Sequence, residues 1–170
     1  MSNAGVTSSF ESMWEALRLI GRDPMTRGYR RFAWTREDHT LREWFAGECT
    51  ARGLDVVVDR AGSQWGWWGN PDRTPGVVIG SHLDSVADGG AFDGPLGVVS
   101  AFAALDAVRA NGFAPRQPIG IANFADEEGA RFGIACAGSR LLTGALDPRR
   151  AAALRDADRV PMADAWRESG

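Results

Sequence analysis

Apolar residues recur at helical spacing in two segments near the N-terminus. The first segment runs from Phe10 to Ile20 and ends where Gly21 interrupts the pattern. The second begins at Thr35, a candidate N-cap with Asp38 at the N3 position, and continues to Gly53, a residue typical of a helix end. The pattern therefore predicts two amphipathic helices before the first strand.

The pattern then changes to short apolar runs with turn residues between them. Residues 54–59 and 64–68 are rich in β-branched and aromatic side chains, which predicts a hairpin or two neighbouring strands. Residues 76–80 and 118–124 are typical of strands buried on both faces, and residues 96–109 between them predict a core-packed helix. The order of strand, helix and strand favours a three-layer α/β/α fold with a mostly parallel sheet.

This pattern suggests one domain with two less regular ends. We expect residues 1–9 to be a flexible N-terminus, residues 10–154 to form the N-terminal part of a catalytic domain, and residues 155–170 to be a polar tail. A chain of 170 residues with 44% hydrophobic content is long enough for one core. Cys49 and Cys136 are far apart in sequence and are interpreted as reduced structural thiols.

The charge balance excludes several classes of partner. A net charge of −3 and a pI near 5.4 argue against binding to nucleic acid or to an anionic membrane surface. The sequence lacks both a secretion signal pattern and an apolar run long enough to span a membrane, so we expect a cytoplasmic protein with no membrane partner.

Polar residues that could bind a metal follow the run at 76–80. His82 and Asp84 alternate on an extended segment and therefore point to the same side. A carboxylate two residues after a histidine can orient the ring of a metal-bound imidazole. An ordinary polar loop is the alternative interpretation of this pair.

Two further acidic clusters occur where the predicted sheet ends. Asp93 lies among glycines just before a predicted helix, where it could cap the helix or bridge two cations. Asp126, Glu127 and Glu128 follow the run at 118–124, and a solvated acidic turn is the alternative there. Imidazole and carboxylates at the same sheet edge are the mixed nitrogen and oxygen ligands that suit zinc, manganese or cobalt.

Four motifs in this order resemble those of a known family. They are GSHLDSV, GGAFDGPLGV, FADEEGARFG and AGSRLLTG, and YRRFAWTREDHTLREWF is similar to the N-terminal helical region of the same proteins. The chain resembles the hydantoinase/carbamoylase branch of the aminoacylase and carboxypeptidase-like metallohydrolases over nearly its whole length. Within that branch the segment DEEGARFGIACAGSRLLTGALDP is most similar to allantoate amidohydrolases.

The resemblance implies a role for each site residue and a cofactor of two divalent metal ions, zinc or manganese. His82 would bind one metal, Glu128 would bind the second, and Asp93 would bridge both. Glu127 would be the general acid/base, and Asp84 would orient His82. In the family, further histidines beyond the segment matched here complete each metal, so we expect this chain alone to bind metal weakly and to be inactive.

The resemblance also implies a small-molecule ureido substrate and a homodimeric full-length protein. The expected reaction converts allantoate into ureidoglycine, ammonia and carbon dioxide. N-carbamoyl-L-amino-acid hydrolase and β-ureidopropionase are alternatives, and a catalytically silent fragment is another.

Three other features have more ordinary interpretations. His39 lies on a predicted solvent-facing stretch and matches no ligand motif. Arg140 could shape the substrate pocket or form a structural salt bridge. Trp65, Trp67 and Trp68 are interpreted as alternating core and cover positions of one strand rather than as a stacking surface.

Overall fold

The computed structural model describes the backbone of residues 3–168 and the side chains of residues 9–168. The helices are α1 (Asn3–Leu17), α2 (Arg36–Ala51), α3 (Pro95–Ala110), α4 (Ala137–Leu142), α5 (Pro148–Ala153) and α6 (Met162–Glu168). The strands are β1 (Asp55–Val58), β2 (Gln64–Trp68), β3 (Val77–His82) and β4 (Ile119–Phe124). The α/β class expected from the sequence is confirmed, and the described helices include none with the length and apolar character that a membrane span needs.

The four described strands form one mixed sheet in the order β1-β2-β4-β3. β3 and β4 pair in parallel and are connected through α3, as predicted. β2 pairs antiparallel with both β1 and β4. The expectation of a mostly parallel sheet is therefore wrong for these strands, because a connection of only five residues between β1 and β2 is too short for the crossover that a parallel pair needs.

The two predicted buried strands differ in their surroundings. β4 lies inside the sheet, and Ile121 at its centre is fully buried. β3 lies at the edge of the described sheet, and Val77, Val78 and Ile79 are exposed. Burial of residues 76–80 on both faces was thus predicted wrongly, because an apolar run indicates a strand but does not reveal which strand becomes the edge.

The main core lies between one face of the sheet and helices α1, α2 and α3. Phe45 from α2 and Phe102 from α3 are fully buried there and contact each other at a ring distance of 5.4 Å. Trp68 packs against this core, whereas Trp65 and Trp67 stack on each other, and Gly120 lies against the Trp67 ring. The alternation expected along β2 is therefore present.

Helices extend further towards both ends of the described residues than the pattern indicated. α1 begins at Asn3, not Phe10, and the Ser9 hydroxyl donates to Asp106 of α3, so residues 3–9 belong to a helix. Residues 155–170 were expected to be a polar tail, but α6 contributes Met162 and Ala165 to a second core beyond the end of β4. The sparse apolar residues of the tail were too few to show helical spacing, yet they are the ones that become buried.

Candidate metal centre

The parallel pair β3–β4 brings the predicted ligands to one edge of the sheet. His82 is the last residue of β3 and lies opposite Phe124, the last residue of β4. The chain turns sharply beside the imidazole at Gly94, which has a φ of +80°, and a Cβ atom there would collide with the His82 ring. Glycine at this position therefore allows the loop after β3 to return close to the imidazole.

Three donor groups converge at this edge. One ligand atom each from His82, Asp93 and Glu128 lies within 4.8 Å of the other two. Bonds of about 2.0 to 2.2 Å allow two ligands of one ion to be at most about 4.4 Å apart, so a small movement of these side chains brings all three atoms within reach of one ion. These residues fit a divalent cation. One ion could use all three donors, whereas the resemblance implied two ions with two of these donors each. Their roles as ligands remain predictions.

Asp84 holds both loops of the site together. Its buried carboxylate approaches the His82 Nδ1 atom with one oxygen at 3.3 Å. The same oxygen accepts a hydrogen bond from the backbone amide of Glu127, and the other oxygen accepts from the amide of Glu128 at 3.0 Å. The sequence predicted the contact with His82, and the structure adds an anchor for the acidic loop after β4.

The imidazole of His82 lies in a strongly negative environment. Burial disfavours the charged ring, but the hydrogen bond to Asp84 and the charges of Asp84 and Glu127 outweigh burial and raise the pKa of His82 to about 9. The ring presents Nε2 towards Asp93 and Glu127. A metal ion at Nε2 must displace a proton from this ring, so binding would release that proton.

Glu127 lies beside the three donors without belonging to their group. Its Oε2 atom is 3.4 Å from Nε2 of His82, and its side chain is one third exposed. The neighbouring carboxyl of Glu128 has a raised pKa because of burial and the negative charge of Asp93. The two adjacent glutamates therefore occupy different positions, one among the donors and one at their side.

The structure decides two alternatives left open by the sequence. Asp93 does not cap α3, because Gly94 occupies the N-cap position and the cap has no side-chain hydrogen bond. The acidic turn after β4 is not simply solvated, because Asp126 is fully buried.

Two carboxyl groups behind the site, those of Asp126 and Asp38, were given no role at the site by the sequence analysis. Burial and the charges of Asp84 and Asp38 raise the pKa of Asp126 to about 7, and neither of its oxygens has a hydrogen-bond partner among the described side chains and backbone. Burial raises the pKa of Asp38 to about 6, and its carboxylate accepts from the amide of Trp34. Thr35 occupies the N-cap position of α2, as predicted, but its hydroxyl donates to the carbonyl of Phe32 and does not cap the helix.

The remaining predicted residues lie outside the donor group. His39 is half-buried on α2, and Arg140 is half-buried on α4, where its charge acts on the thiol of Cys136. Cys49 is fully buried, and both cysteines are free thiols. Cys136 contacts Glu127, a contact that no motif or periodicity could show.

Comparison with known proteins gives a consistent result. Residues 66–156 match the family described as Peptidase family M28. The chain is 38% identical to an N-carbamoyl-L-amino acid amidohydrolase of Geobacillus stearothermophilus over 94% of this chain and 40% of that protein. It is 35% identical to allantoate deiminase 1 of Glycine max over 76% of this chain and 26% of that protein.

A solved structure agrees with these relatives. The crystal structure of a hydantoinase/carbamoylase family amidase from Burkholderia ambifaria superimposes with a TM-score of 0.87 and 34% identity, covering 100% of this chain and 41% of that chain. The chain thus spans about two fifths of the length of these longer proteins or less.

The fold matches that of hydantoinase/carbamoylase family amidases, and the donor group is one that could hold a metal ion. The chain belongs to Peptidase family M28. The resemblance to the hydantoinase/carbamoylase branch, inferred from the motifs, is confirmed by these relatives.

Proposed function

We propose that the protein hydrolyses the terminal ureido group of allantoate and yields ureidoglycine, ammonia and carbon dioxide. Relatives named for carbamoyl amino acids and for allantoate support a hydrolase that acts on ureido bonds. The resemblance of residues 126–148 to allantoate amidohydrolases favours allantoate among these substrates. Water adds to the ureido carbonyl, the bond from that carbon to nitrogen breaks, and the carbamate left behind separates into ammonia and carbon dioxide.

The observation that carries this proposal is the placement of one carboxylate that is not a donor, that of Glu127, beside the three donors. His82, Asp93 and Glu128 provide the nitrogen and oxygen atoms that zinc or manganese prefers. Glu127 lies next to them with one oxygen towards His82 and remains accessible to solvent. A hydrolytic site needs both parts, since a ligand that is committed to a metal is a poor proton carrier.

Each residue has a separate task in the proposed reaction. When bound, zinc or manganese supplies Lewis acidity that polarises a carbonyl and lowers the pKa of water. Glu127 accepts the proton of the attacking water at a carboxylate oxygen and donates it to the departing nitrogen. Asp84 fixes the orientation of His82 and the position of the loop that carries Glu127. We also propose that the full-length protein binds two metal ions and forms a homodimer.

The substrate is tested with two chimeric enzymes. Residues 1–168 replace the matching part of the Geobacillus stearothermophilus relative in one chimera and of the Glycine max relative in the other. Ammonia release is measured with allantoate and with N-carbamoyl-L-amino acids, before and after removal of metal by a chelator. We expect metal-dependent turnover of allantoate by both chimeras, at a rate on the order of 1 s⁻¹ or more.

The outcome also separates the competing substrates. If both chimeras prefer N-carbamoyl-L-amino acids, the alternative supported by the Geobacillus relative replaces allantoate. If neither substrate is hydrolysed while both chimeras bind metal, the proposed reaction is wrong.

A further inference from the structure

Cys136 is a half-buried thiol that lies just before α4 and contacts the side chain of Glu127. Its Sγ atom donates a hydrogen bond to the Oε1 atom of Glu127 at 3.4 Å, an ordinary length for a bond from sulfur. The backbone amide of Cys136 also donates to the carbonyl oxygen of Glu127. One residue therefore holds both the main chain and the carboxylate of Glu127.

The backbone determines where this thiol lies. Three consecutive amides, those of Cys136, Ala137 and Gly138, donate to the carbonyl oxygens of residues 127, 126 and 125. Gly138 is packed so closely that a Cβ atom there would collide with the carbonyl of Ala125. Cys136 adopts a φ of +59°, a region that residues other than glycine rarely occupy. The surrounding hydrogen bonds impose this conformation, so the approach of the thiol to Glu127 follows from the fold.

The two oxygens of Glu127 consequently have different neighbours. Oε1 accepts from Cys136, and Oε2 lies 3.4 Å from Nε2 of His82. The thiol bond therefore restricts rotation of the carboxylate and leaves Oε2 directed at the donor group. Relative to a freely rotating side chain, this geometry lowers the entropy that must be lost before proton transfer.

We propose that Cys136 is a positioning residue that orients the Glu127 carboxylate through its thiol hydrogen bond. The inference rests on the proposed function, in which Glu127 carries the proton. It replaces the sequence-based interpretation of Cys136 as a purely structural thiol.

The charges around the thiol keep it in the donor form. The hydrogen bond to Glu127 and burial raise the pKa of the Cys136 thiol, with a smaller contribution from the charge of Asp84, whereas the guanidinium of Arg140 acts in the opposite direction. A protonated thiol can donate to a carboxylate, and a thiolate cannot. Because Glu127 raises the pKa of the thiol, the rate at which the thiol reacts indicates whether the contact with Glu127 is present.

The first experiment measures alkylation of Cys136 by iodoacetamide in this chain, with the adduct located by mass spectrometry. We expect Glu127→Gln to increase the rate by about tenfold, because loss of the carboxylate weakens the hydrogen bond and removes the negative charge that raise the pKa of the thiol. Glu128→Gln is the matched control, because Glu128 does not contact the thiol, and we expect its rate to stay within about twofold of the unsubstituted chain. Equal rates for the two variants would overturn the proposed contact.

Cys49 provides an internal check on folding in the same samples. It is fully buried in the main core and reacts only when the chain unfolds. Rapid labelling of Cys49 in Glu127→Gln would mean that this variant is unfolded. The Cys136 rate is then compared between the unsubstituted chain and Glu127→Asp, whose shorter side chain withdraws the carboxylate from the thiol. An unchanged Cys136 rate in a folded Glu127→Asp variant contradicts the inference.

The second experiment measures steady-state kinetics in the more active of the two chimeras. We expect Cys136→Ala to lower kcat about tenfold, with KM and metal content unchanged, because loss of an orienting hydrogen bond next to a metal site typically costs about 10- to 100-fold. Cys136→Ser keeps a donor and should restore kcat to within about threefold. Thr143→Ala, at the exposed end of α4, is the control and should match the parent.

These outcomes distinguish the two proposals. A Cys136→Ser variant as slow as Cys136→Ala, or a Cys136→Ala variant as fast as the parent, would show that the thiol does not position Glu127. If the parent chimera has no hydrolytic activity, the proposed function fails, and the alkylation rates still decide whether Cys136 holds Glu127.

Discussion

Asp84 and Asp93 lie in the same loop after β3, yet their side chains differ in burial and in the number of their contacts. Asp84 is 4% exposed and is engaged by the His82 ring and by two backbone amides. The Asp93 side chain is 72% exposed, and its Oδ1 atom lies 3.7 Å from Nε2 of His82. Contacts within the fold hold the Asp84 carboxylate in place, whereas the Asp93 carboxylate is free to bind a metal ion.

This difference indicates how the site is assembled. Asp84 links the loops after β3 and β4 and orders His82 and the glutamates without a metal ion. Asp93 can move because few contacts restrain it, and it would complete the coordination when an ion arrives. Loss of Asp84 should therefore damage the folded chain, and loss of Asp93 should damage only metal binding.

The largest expected effect concerns Glu127, which belongs to the anchored loop but is not a donor. In the chimeric enzymes, Glu127→Gln should lower hydrolysis by about 10²- to 10⁴-fold, because the amide keeps the shape of the side chain and cannot accept a proton. Metal content, measured by atomic emission, should be unchanged. Loss of metal from this variant would mean that the roles of Glu127 and Glu128 are reversed.

The exposed carboxylate is tested by metal binding to this chain. Asp93→Ala should weaken the binding of zinc or manganese by at least about tenfold in a calorimetric titration, because it removes one of three donors. Asp72→Ala removes an exposed carboxylate elsewhere and should leave the affinity unchanged. The titration of the unsubstituted chain should give one ion per chain, and a stoichiometry of two would show that the three donors are shared between ions.

The anchored carboxylate is tested by stability in the absence of metal. Asp84→Ala leaves two backbone amides without their acceptor in a buried place, and we expect a loss of about 2 to 4 kcal/mol in the free energy of unfolding. Asp93→Ala should change this free energy by no more than about 0.5 kcal/mol, as is usual for exposed positions. Urea unfolding followed by circular dichroism measures both. Similar losses for the two variants would remove the distinction between anchor and mobile ligand.

The smallest expected effect concerns Asp38, a buried carboxyl near Asp84. It is tested through the pH dependence of the free energy of unfolding. The pKa of Asp38 is about 6 in the folded chain and 3.8 ordinarily, so between these values the folded state binds more protons than the unfolded state. Stability attributable to Asp38 is therefore present below about pH 4 and is lost as the pH rises through about 6. Relative to the unsubstituted chain, Asp38→Asn should gain about 2 kcal/mol of unfolding free energy between pH 4 and pH 7.

The control for this measurement is Asp72→Asn, whose carboxyl is exposed. Its stability relative to the unsubstituted chain should not change with pH over the same range. A flat difference for Asp38→Asn would show that its folded pKa is not raised.

Much of the site could be predicted because its residues follow strands closely. His82 ends β3 and the acidic cluster follows β4, and the carboxyl ends of two parallel neighbouring strands lie at one edge. Local sequence was enough to identify these strands and the helix between them. It was not enough for β1 and β2, whose antiparallel pairing depends on the length of their connection and on the position of β2 beside β4.

The sequence by itself determined the chemistry that is available: the identity of the donors, their order along the chain and the strands that carry them. Only the tertiary structure decided how each carboxylate is used, because burial and hydrogen-bond partners depend on which segments pack together. Asp84 became an anchor, Asp93 stayed exposed, and backbone hydrogen bonds between two segments of the loop after β4 brought the Cys136 thiol to Glu127. Contacts of this kind join positions with no regular spacing, so they cannot be predicted from the hydrophobic periodicity of the sequence.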